Sequence, residues 1–129
     1  MKDLKQAHLM LRMAQKELKA LKGMREPEIF EDEIFGFHAQ QAIEKMLKAW
    51  IALSGLQYPL THNIGILLDI LQKHGIDLNK YWNLVDYNIY AVLSRYEEID
   101  LSEKPLDRSA TIEEIEELFV NVEKMLKDA

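Results

Sequence analysis

The first stretch of the chain alternates apolar and polar positions with a helical period. Its apolar residues recur at spacings of three and four and form one narrow stripe: Leu4, Ala7, Leu11, Ala14, Leu18 and Leu21. This pattern predicts an amphipathic α-helix over about residues 3–22, ended by Gly23. A second helix is predicted over about Asp32–Ser54, where eight apolar side chains share one broader arc.

The same periodicity predicts three further helices. One spans about Thr61–Lys73, with Thr61 as N-cap and the pair His74-Gly75 as C-cap. The next covers about Leu78–Tyr96, and the last opens at Thr111, where Thr111 and Glu114 have the spacing of a capping box. Because no strand-like alternation is present, we expect an all-α fold: one domain over residues 1–129, built as an up-and-down bundle of about five helices.

Composition limits the classes of protein to consider. The chain has no cysteine, which excludes a disulfide scaffold and thiolate metal sites and is consistent with a reducing cytoplasm. No apolar run is long enough to span a membrane, and the N-terminus has no secretory signal pattern. The formal net charge of −6 argues against general binding to a nucleic-acid backbone. We therefore expect a cytoplasmic protein with no membrane partner.

The charge is unevenly distributed along the chain. Residues 1–25 hold seven basic and two acidic residues, whereas residues 97–129 hold eleven acids and four bases. Such runs usually lie on solvated helix faces. The alternative is a basic first helix that attracts an acidic partner or a nucleic acid.

The fourth predicted helix has two polar residues within its apolar arc. Measured from Leu84 at about 100° per residue, Arg95 falls at about 20° and Asn88 at about 40°, and Tyr96 lies beside Arg95. A guanidinium on an apolar face requires a carboxylate or another anion. Two interpretations stay open: an internal ion pair with a hydrogen-bonded Asn88, or the floor of a pocket for a phosphate or nucleotide.

The second predicted helix has a polar edge formed by His38, Gln41 and Lys45. This edge faces a ligand or a second subunit, or it is the solvated boundary of any amphipathic helix. His62 either offers its imidazole to an anion at a helix N-terminus or only supports the turn. The histidines lack metal-ligand spacing, and no hydrolase or dinucleotide motif is present, so the sequence predicts no metal, no cofactor and no identifiable catalytic residue.

Three segments resemble, in order, the signatures of one family. FHAQQAIEKMLKA, from Phe37 to Ala49, is similar to the core motif of HEPN domains (higher eukaryotes and prokaryotes nucleotide-binding domains). THNI, at residues 61–64, looks like the next signature, and YAVLSRY, at residues 90–96, looks like the end of the penultimate helix. The resemblance covers nearly the whole chain. It implies a helical bundle that usually dimerises and often pairs with a small nucleotidyltransferase, frequently as a toxin–antitoxin system.

The resemblance also implies what an RNase of this family would need. Its RNase members carry an Arg-x4-6-His motif, whose two residues act together on the RNA phosphodiester. After Arg95 the required positions hold Asp100, Leu101 and Ser102, so the histidine is missing. We therefore expect little or no RNase activity and leave the question of an enzyme open.

These observations lead to one preferred hypothesis and two alternatives. The preferred hypothesis is a homodimeric HEPN-type partner of a small nucleotidyltransferase that binds a nucleotide or a nucleic-acid phosphate. Its candidate ligand-binding residues are Arg95, Asn88, Tyr96, His38, Gln41, Lys45 and His62. The alternatives are a metal-independent RNase toxin that uses Arg95 with a histidine from elsewhere, and a purely structural interaction module.

Overall fold

A computed structural model of the chain describes residues 2–91 and 106–129. The elements within these ranges are α1 (Leu4–Gly23), α2 (Asp32–Leu53), α3 (Ile64–Lys73), a 3-10 helix (Trp82–Asn88) and α4 (Arg108–Lys127). The described ranges contain no strand, which confirms the predicted all-α class.

The long helices pack side by side around α2. The backbone amide of Asp3 donates to the carbonyl of Ala52 at 3.0 Å, and Glu17 contacts His38, so α1 and α2 run antiparallel. Helix α4 starts beside the α1–α2 connection and runs back along α1. Because α2 contacts α1, α3, α4 and the 3-10 helix, most of its residues are buried, including three polar ones.

The apolar stripe predicted for α1 is confirmed. Its buried residues are Ala7, Leu11, Ala14, Leu18 and Leu21, which keep spacings of three and four over the length of the helix. The opposite side of α1 carries its basic residues into solvent. One narrow stripe is enough for α1 because it covers a single side of α2.

Glycine ends two helices by the same hydrogen-bond pattern. After α3, Gly75 takes a φ of +89°, its amide donates to Gln72 at 3.0 Å, and the amide of Ile76 donates to Leu71 at 3.3 Å. Gly55, with a φ of +82°, ends α2 in the same way. This is the Schellman motif, in which a left-handed residue costs least when it is glycine. The predicted C-cap at His74-Gly75 is confirmed.

Two predicted N-caps are wrong. The N-cap of α3 is Asn63, whose Oδ1 accepts from the amides of Gly65 and Ile66, while Thr61 accepts only from the amide of Asn63. The last helix begins three residues earlier than predicted, at Arg108, because Asp107 caps it by accepting from the amide of Ala110 at 3.0 Å. Thr111 is therefore an interior residue, and no capping box forms there.

The predicted continuous helix over Leu78–Tyr96 is also wrong in its described part. Residues 82–88 form a 3-10 helix, and α-helical geometry begins only at residue 89. Burial here repeats every third residue, at Tyr81, Leu84, Tyr87 and Tyr90. A 3-10 helix has three residues per turn, so this spacing places all four side chains on one side.

The 3-10 helix lies along α3 in the opposite direction. At one end the indole Nε1 of Trp82 donates to Oε1 of Gln72 at 2.8 Å, near the C-terminus of α3. At the other end Oδ1 of Asn88 accepts from the amide of Ile64 at 2.8 Å, at the N-terminus of α3. The predicted position of Asn88 within the apolar arc of an α-helix is therefore wrong. The residue faces the end of α3 because the segment turns by about 120° per residue.

Tyr90, just after the 3-10 helix, lies directly against the backbone of α2. A Cβ atom added at Gly36 would fall within 2.3 Å of the Tyr90 ring, so this contact requires glycine. Burial, reinforced by the charge of Asp32, raises the pKa of Tyr90 to about 12. Among the described helices, none is both long and apolar enough to cross a membrane.

Candidate anion-binding site

The polar edge predicted on α2 is part of a wider polar face, which we call the α2 face. It comprises six side chains of this helix: His38, Gln40, Gln41, Glu44, Lys45 and Lys48. Three of them, Gln40, Glu44 and Lys48, are buried, which is uncommon for such residues unless they are paired. Their hydrogen bonds form two clusters.

The outer cluster joins α1 to α2 through one carboxylate. Oε2 of Glu17 contacts Nδ1 of His38 at 2.6 Å, and Oε1 of Glu17 accepts from Nζ of Lys45 at 3.3 Å. All three side chains are partly exposed, at 19%, 30% and 16% respectively. Two nitrogen groups that can bind an anion are thus held in fixed positions within reach of solvent.

The inner cluster surrounds the carboxylate of Glu44. Its Oε1 accepts from Nε2 of Gln40 at 3.2 Å and contacts Nδ1 of His62 at 2.8 Å, while its Oε2 accepts from Nζ of Lys48 at 3.1 Å. Burial works to raise the pKa of Glu44, but the hydrogen bonds from His62, Gln40 and Lys48 outweigh it, and the pKa is lowered. Glu44 therefore stays ionised at neutral pH.

Gln41 is joined to the inner cluster through Gln40. Its Nε2 donates to Oε1 of Gln40 at 2.8 Å, and Gln40 in turn donates to the carbonyl of His62 at 2.7 Å. Four of the predicted ligand-binding residues, His38, Gln41, Lys45 and His62, thus lie on or against one helix face. Gln41 and His62 share the inner network, and His38 and Lys45 share Glu17.

Comparison with known proteins identifies the family of the chain. The family model of the HEPN domain matches residues 7–129, which is nearly the whole chain. The chain belongs to the HEPN domain family. Searches of curated proteins and of solved structures gave no match.

Two of the four histidines of this HEPN domain are oriented by a carboxylate at Nδ1. His38 is held by Glu17, and His62 is held by Glu44, which itself is buried. In each case the contact at Nδ1 leaves Nε2 for another partner. The imidazole of His62 is 63% exposed, so its Nε2 is accessible from solvent.

The N-terminus of α3 offers no free backbone donors next to His62. The amide of Ile64 donates to Asn88, and those of Gly65 and Ile66 donate to Asn63. The amide of Asn88 also donates to Asn63, at 3.1 Å. The interpretation of His62 beside an open helix N-terminus is therefore wrong, because side chains already satisfy these N–H groups.

Arg108 is a buried arginine whose role the sequence did not reveal. It donates to the carbonyls of Met24 and Phe30 at 2.7 and 2.5 Å and to Oδ1 of Asp32 at 2.7 Å, and its guanidinium lies over the Phe35 ring. These contacts fasten the α1–α2 connection to the start of α4. We call this group the Arg108 anchor. Arg108 lies three residues before Thr111 and four before Ile112, a spacing that places all three on the buried side of α4. The sequence shows this spacing as a signal only if the helix is taken to start at Arg108.

Three further predictions concern Arg95 with Tyr96, the dimer and the absence of a metal site. Arg95 and Tyr96 lie outside the described residues. The dimer implied by the family resemblance stays a prediction. Tyr81, Leu84 and Tyr87, apolar positions of the fourth predicted helix, are buried within the chain itself. Within residues 2–91 and 106–129, no three His, Asp or Glu side chains are grouped so that they could hold a metal ion.

Proposed function

We propose that this HEPN domain binds a nucleotide or a nucleic-acid phosphate at the α2 face and acts as the partner of a small nucleotidyltransferase, as a homodimer in the cytoplasm. The observation that supports this proposal is the outer cluster. His38 and Lys45 hold their nitrogen groups 2.6 and 3.3 Å from the same carboxylate, with side chains that solvent reaches. Gln41 adds an amide on the same edge.

The charges of the outer cluster explain how it would bind an anion. Lys45 and Glu17 cancel, so the cluster becomes positive when His38 is protonated. A phosphate would then accept from Nε2 of His38 and from Nζ of Lys45, both already positioned by Glu17.

The test is calorimetric titration of the protein with inorganic phosphate and a panel of nucleoside mono-, di- and triphosphates. We expect saturable binding by the wild type and its loss in the double variant His38→Gln, Lys45→Gln. The control double variant His74→Gln, Lys73→Gln makes the same change at an exposed helix end, and its binding should match that of the wild type. Absence of binding by the wild type would favour the purely structural module, and equal binding by both variants would show that the anion does not bind at the α2 face.

The proposed partner and the proposed dimer need separate tests. A nucleotidyltransferase reading frame beside this gene, and co-purification of its product with the tagged chain, would support the pairing and a toxin–antitoxin role. Light scattering at micromolar concentration should give twice the chain mass of 15.1 kDa. A monomer would contradict the dimer without affecting the anion site.

A second candidate function, a metal-independent RNase toxin, is favoured by one observation. The pair His62–Glu44 has the arrangement of a general base, because a buried carboxylate holds Nδ1 and Nε2 is exposed. Such a histidine supplies the group that is missing downstream of Arg95. In this alternative, His62 Nε2 accepts the 2′-hydroxyl proton as the 2′-oxygen attacks phosphorus, and Arg95 stabilises the phosphate. The bond between phosphorus and the 5′-oxygen breaks, and the leaving 5′-oxygen takes a proton from water.

Induction of the chain in a bacterial host, with total RNA followed on a gel, separates the two candidates. RNA cleavage that disappears in both His62→Gln and Arg95→Gln, but persists in His74→Gln, would establish the RNase. Intact RNA after induction of the wild type would leave the binding function preferred.

A further inference from the structure

The outward side of α1 carries a continuous row of cations, which we call the α1 stripe. It consists of Lys5, Arg12, Lys16 and Lys19, all exposed and within about 60° of one another around the helix axis. None of the four forms an ion pair or hydrogen bond with the part of the chain that the structure describes. The row covers fourteen residue steps, which is about 21 Å of helix.

The acidic residues of α1 do not neutralise this row. Asp3 is the N-cap and accepts from the amide of Gln6, and Glu17 points to His38 and Lys45 on α2. The outer side of α1 therefore has one sign of charge, although the whole chain carries −6. Because salt screens exposed charges beyond about 8 Å at physiological ionic strength, a ligand on α1 responds to the stripe more than to the net charge.

One end of the α1 stripe opens into a groove between α1 and α4. The groove has a volume of about 560 Å³ and is lined by Lys16, Lys19 and Lys22 from α1 and by Glu116, Phe119 and Val120 from α4. Glu116 pairs with Lys22 at 2.8 Å, so Lys16 and Lys19 are the lysines of the groove that stay available for a ligand. Val120 is 55% exposed, which makes it one of the more exposed large apolar residues. Cations and an apolar floor thus lie side by side.

We infer that the α1 stripe binds single-stranded nucleic acid, with its cations on successive phosphates and one unpaired base in the groove. Phosphates are favoured over an acidic protein because α1 has a single exposed large apolar residue, Leu9, whereas protein interfaces have an apolar centre. A single strand is favoured over a duplex because only an unpaired base can enter the groove. This surface is separate from the α2 face, since Glu17 and not the stripe faces α2.

The experiment measures fluorescence anisotropy of a labelled oligouridylate of about 12 nucleotides, titrated with the protein at several salt concentrations between about 50 and 200 mM. Four phosphate contacts predict a slope of log K against log salt near −3, at about −0.7 per contact. The triple variant Arg12→Gln, Lys16→Gln, Lys19→Gln should lower the slope to about −1 and weaken binding at least tenfold at low salt.

The matched control removes the same number of charges elsewhere. Lys73→Gln, Lys124→Gln and Lys127→Gln are exposed positions on α3 and α4, and this triple variant should keep the wild-type slope. Equal weakening of both triple variants would show an effect of net charge alone and would overturn the inference. The absence of salt-dependent binding by the wild type would overturn it as well. The inference would also fail if the triple variant of the α1 stripe lost an acidic protein partner but bound nucleic acid as the wild type does.

A second pair of measurements tests the groove. The wild type should bind the oligouridylate more tightly than an abasic strand of equal length. In Val120→Glu this preference should disappear while the preserved cations keep the salt slope near that of the wild type. If the wild type binds both strands equally, no base enters the groove, and that half of the inference fails.

Discussion

The Arg108 anchor and the α2 face both hold cations against carboxylates, but they differ in how much water reaches them. The Arg108 guanidinium is 5% exposed and donates to two main-chain carbonyls as well as to Asp32. In the outer cluster of the α2 face, His38 is 30% exposed and its partners bind no main chain in the described part of the molecule. Contacts to main chain fix the path of the chain, whereas contacts among partly exposed side chains can be exchanged for those of a ligand.

This difference suggests which arginine and which lysine serve stability. A buried cation has lost its hydration and depends on its protein partners. Removing it leaves those buried partners without a hydrogen-bond donor or counter-charge. A partly exposed ion pair contributes less to stability and is therefore available for binding. Four substitutions or titrations test this contrast, starting with the largest effect.

Arg108→Ala should lower the free energy of unfolding by about 3–5 kcal/mol, because it leaves Asp32 and the carbonyls of Met24 and Phe30 without their donor. Urea denaturation measures the change. The control Arg25→Ala removes an exposed arginine whose hydrogen bond, to Ser109, is 3.4 Å long, and it should change stability by less than about 0.5 kcal/mol. Similar losses in the two variants would contradict the role of the anchor.

Glu44→Gln should lower the free energy of unfolding by about 1–3 kcal/mol at pH 7, because Lys48 stays buried without its counter-charge. The native pKa of Glu44 is lowered, so its stabilisation is present above the ordinary glutamate pKa of about 4.3 and is lost as the pH falls through the native pKa. The difference between wild type and variant should therefore shrink in acid. A difference that stays constant from pH 7 to pH 3 would show that the charge is unimportant.

Tyr90 tests the surroundings of the anchor at high pH. Its native pKa of about 12 lies above that of an unfolded tyrosine, near 10, so the stability it contributes is present below pH 10 and is lost as the pH rises toward 12. Tyr90→Phe should lose less stability than the wild type over this range. Denaturation at pH 9 and pH 11.5, with tyrosinate absorbance, measures it; parallel losses in both proteins would contradict the assignment.

Lys45→Gln should have the smallest effect on stability, under about 1 kcal/mol, because its ion pair with Glu17 is 3.3 Å long and partly solvated. If the α2 face binds an anion, this variant without ligand should have the melting temperature of the wild type. Phosphate or nucleotide should raise the melting temperature of the wild type but not that of the variant. A loss comparable to that of Arg108→Ala would make Lys45 a structural residue.

The sequence was sufficient where one period governed a whole helix. The stripe on α1 and the glycine that ends α3 follow from local spacing and backbone geometry, and both are as predicted. Residues 81–90 could not be assigned by the same rule. Their apolar positions repeat every three residues, and a search at 3.6 spreads them over a wide arc that resembles an ordinary amphipathic helix.

The candidate site was predictable only in part. His38, Gln41 and Lys45 follow from their places on one helix edge, but Glu17 lies on another helix, and no local pattern names it as their partner. From the sequence, Glu44 in the family motif is expected to be an exposed helix residue. It is buried because the segment before α3 returns along α2, which no local pattern predicts. Arg108 was missed because the last helix starts at Arg108, capped by Asp107, and not at Thr111, so this residue lies on a buried helix face and not in a loop.

The 3-10 helix also acts as a spacer of matched length. Its contacts at Trp82 and Asn88 meet α3 at Gln72 and Ile64. Eight residue steps of α-helix and six of 3-10 helix both cover about 12 Å, whereas six steps of α-helix would cover about 9 Å. Conversion of this segment to α-helix would thus leave it about 3 Å too short to hold both ends of α3. An inserted or deleted residue in either segment would break one of the two contacts, so the lengths of α3 and the 3-10 helix can change only together.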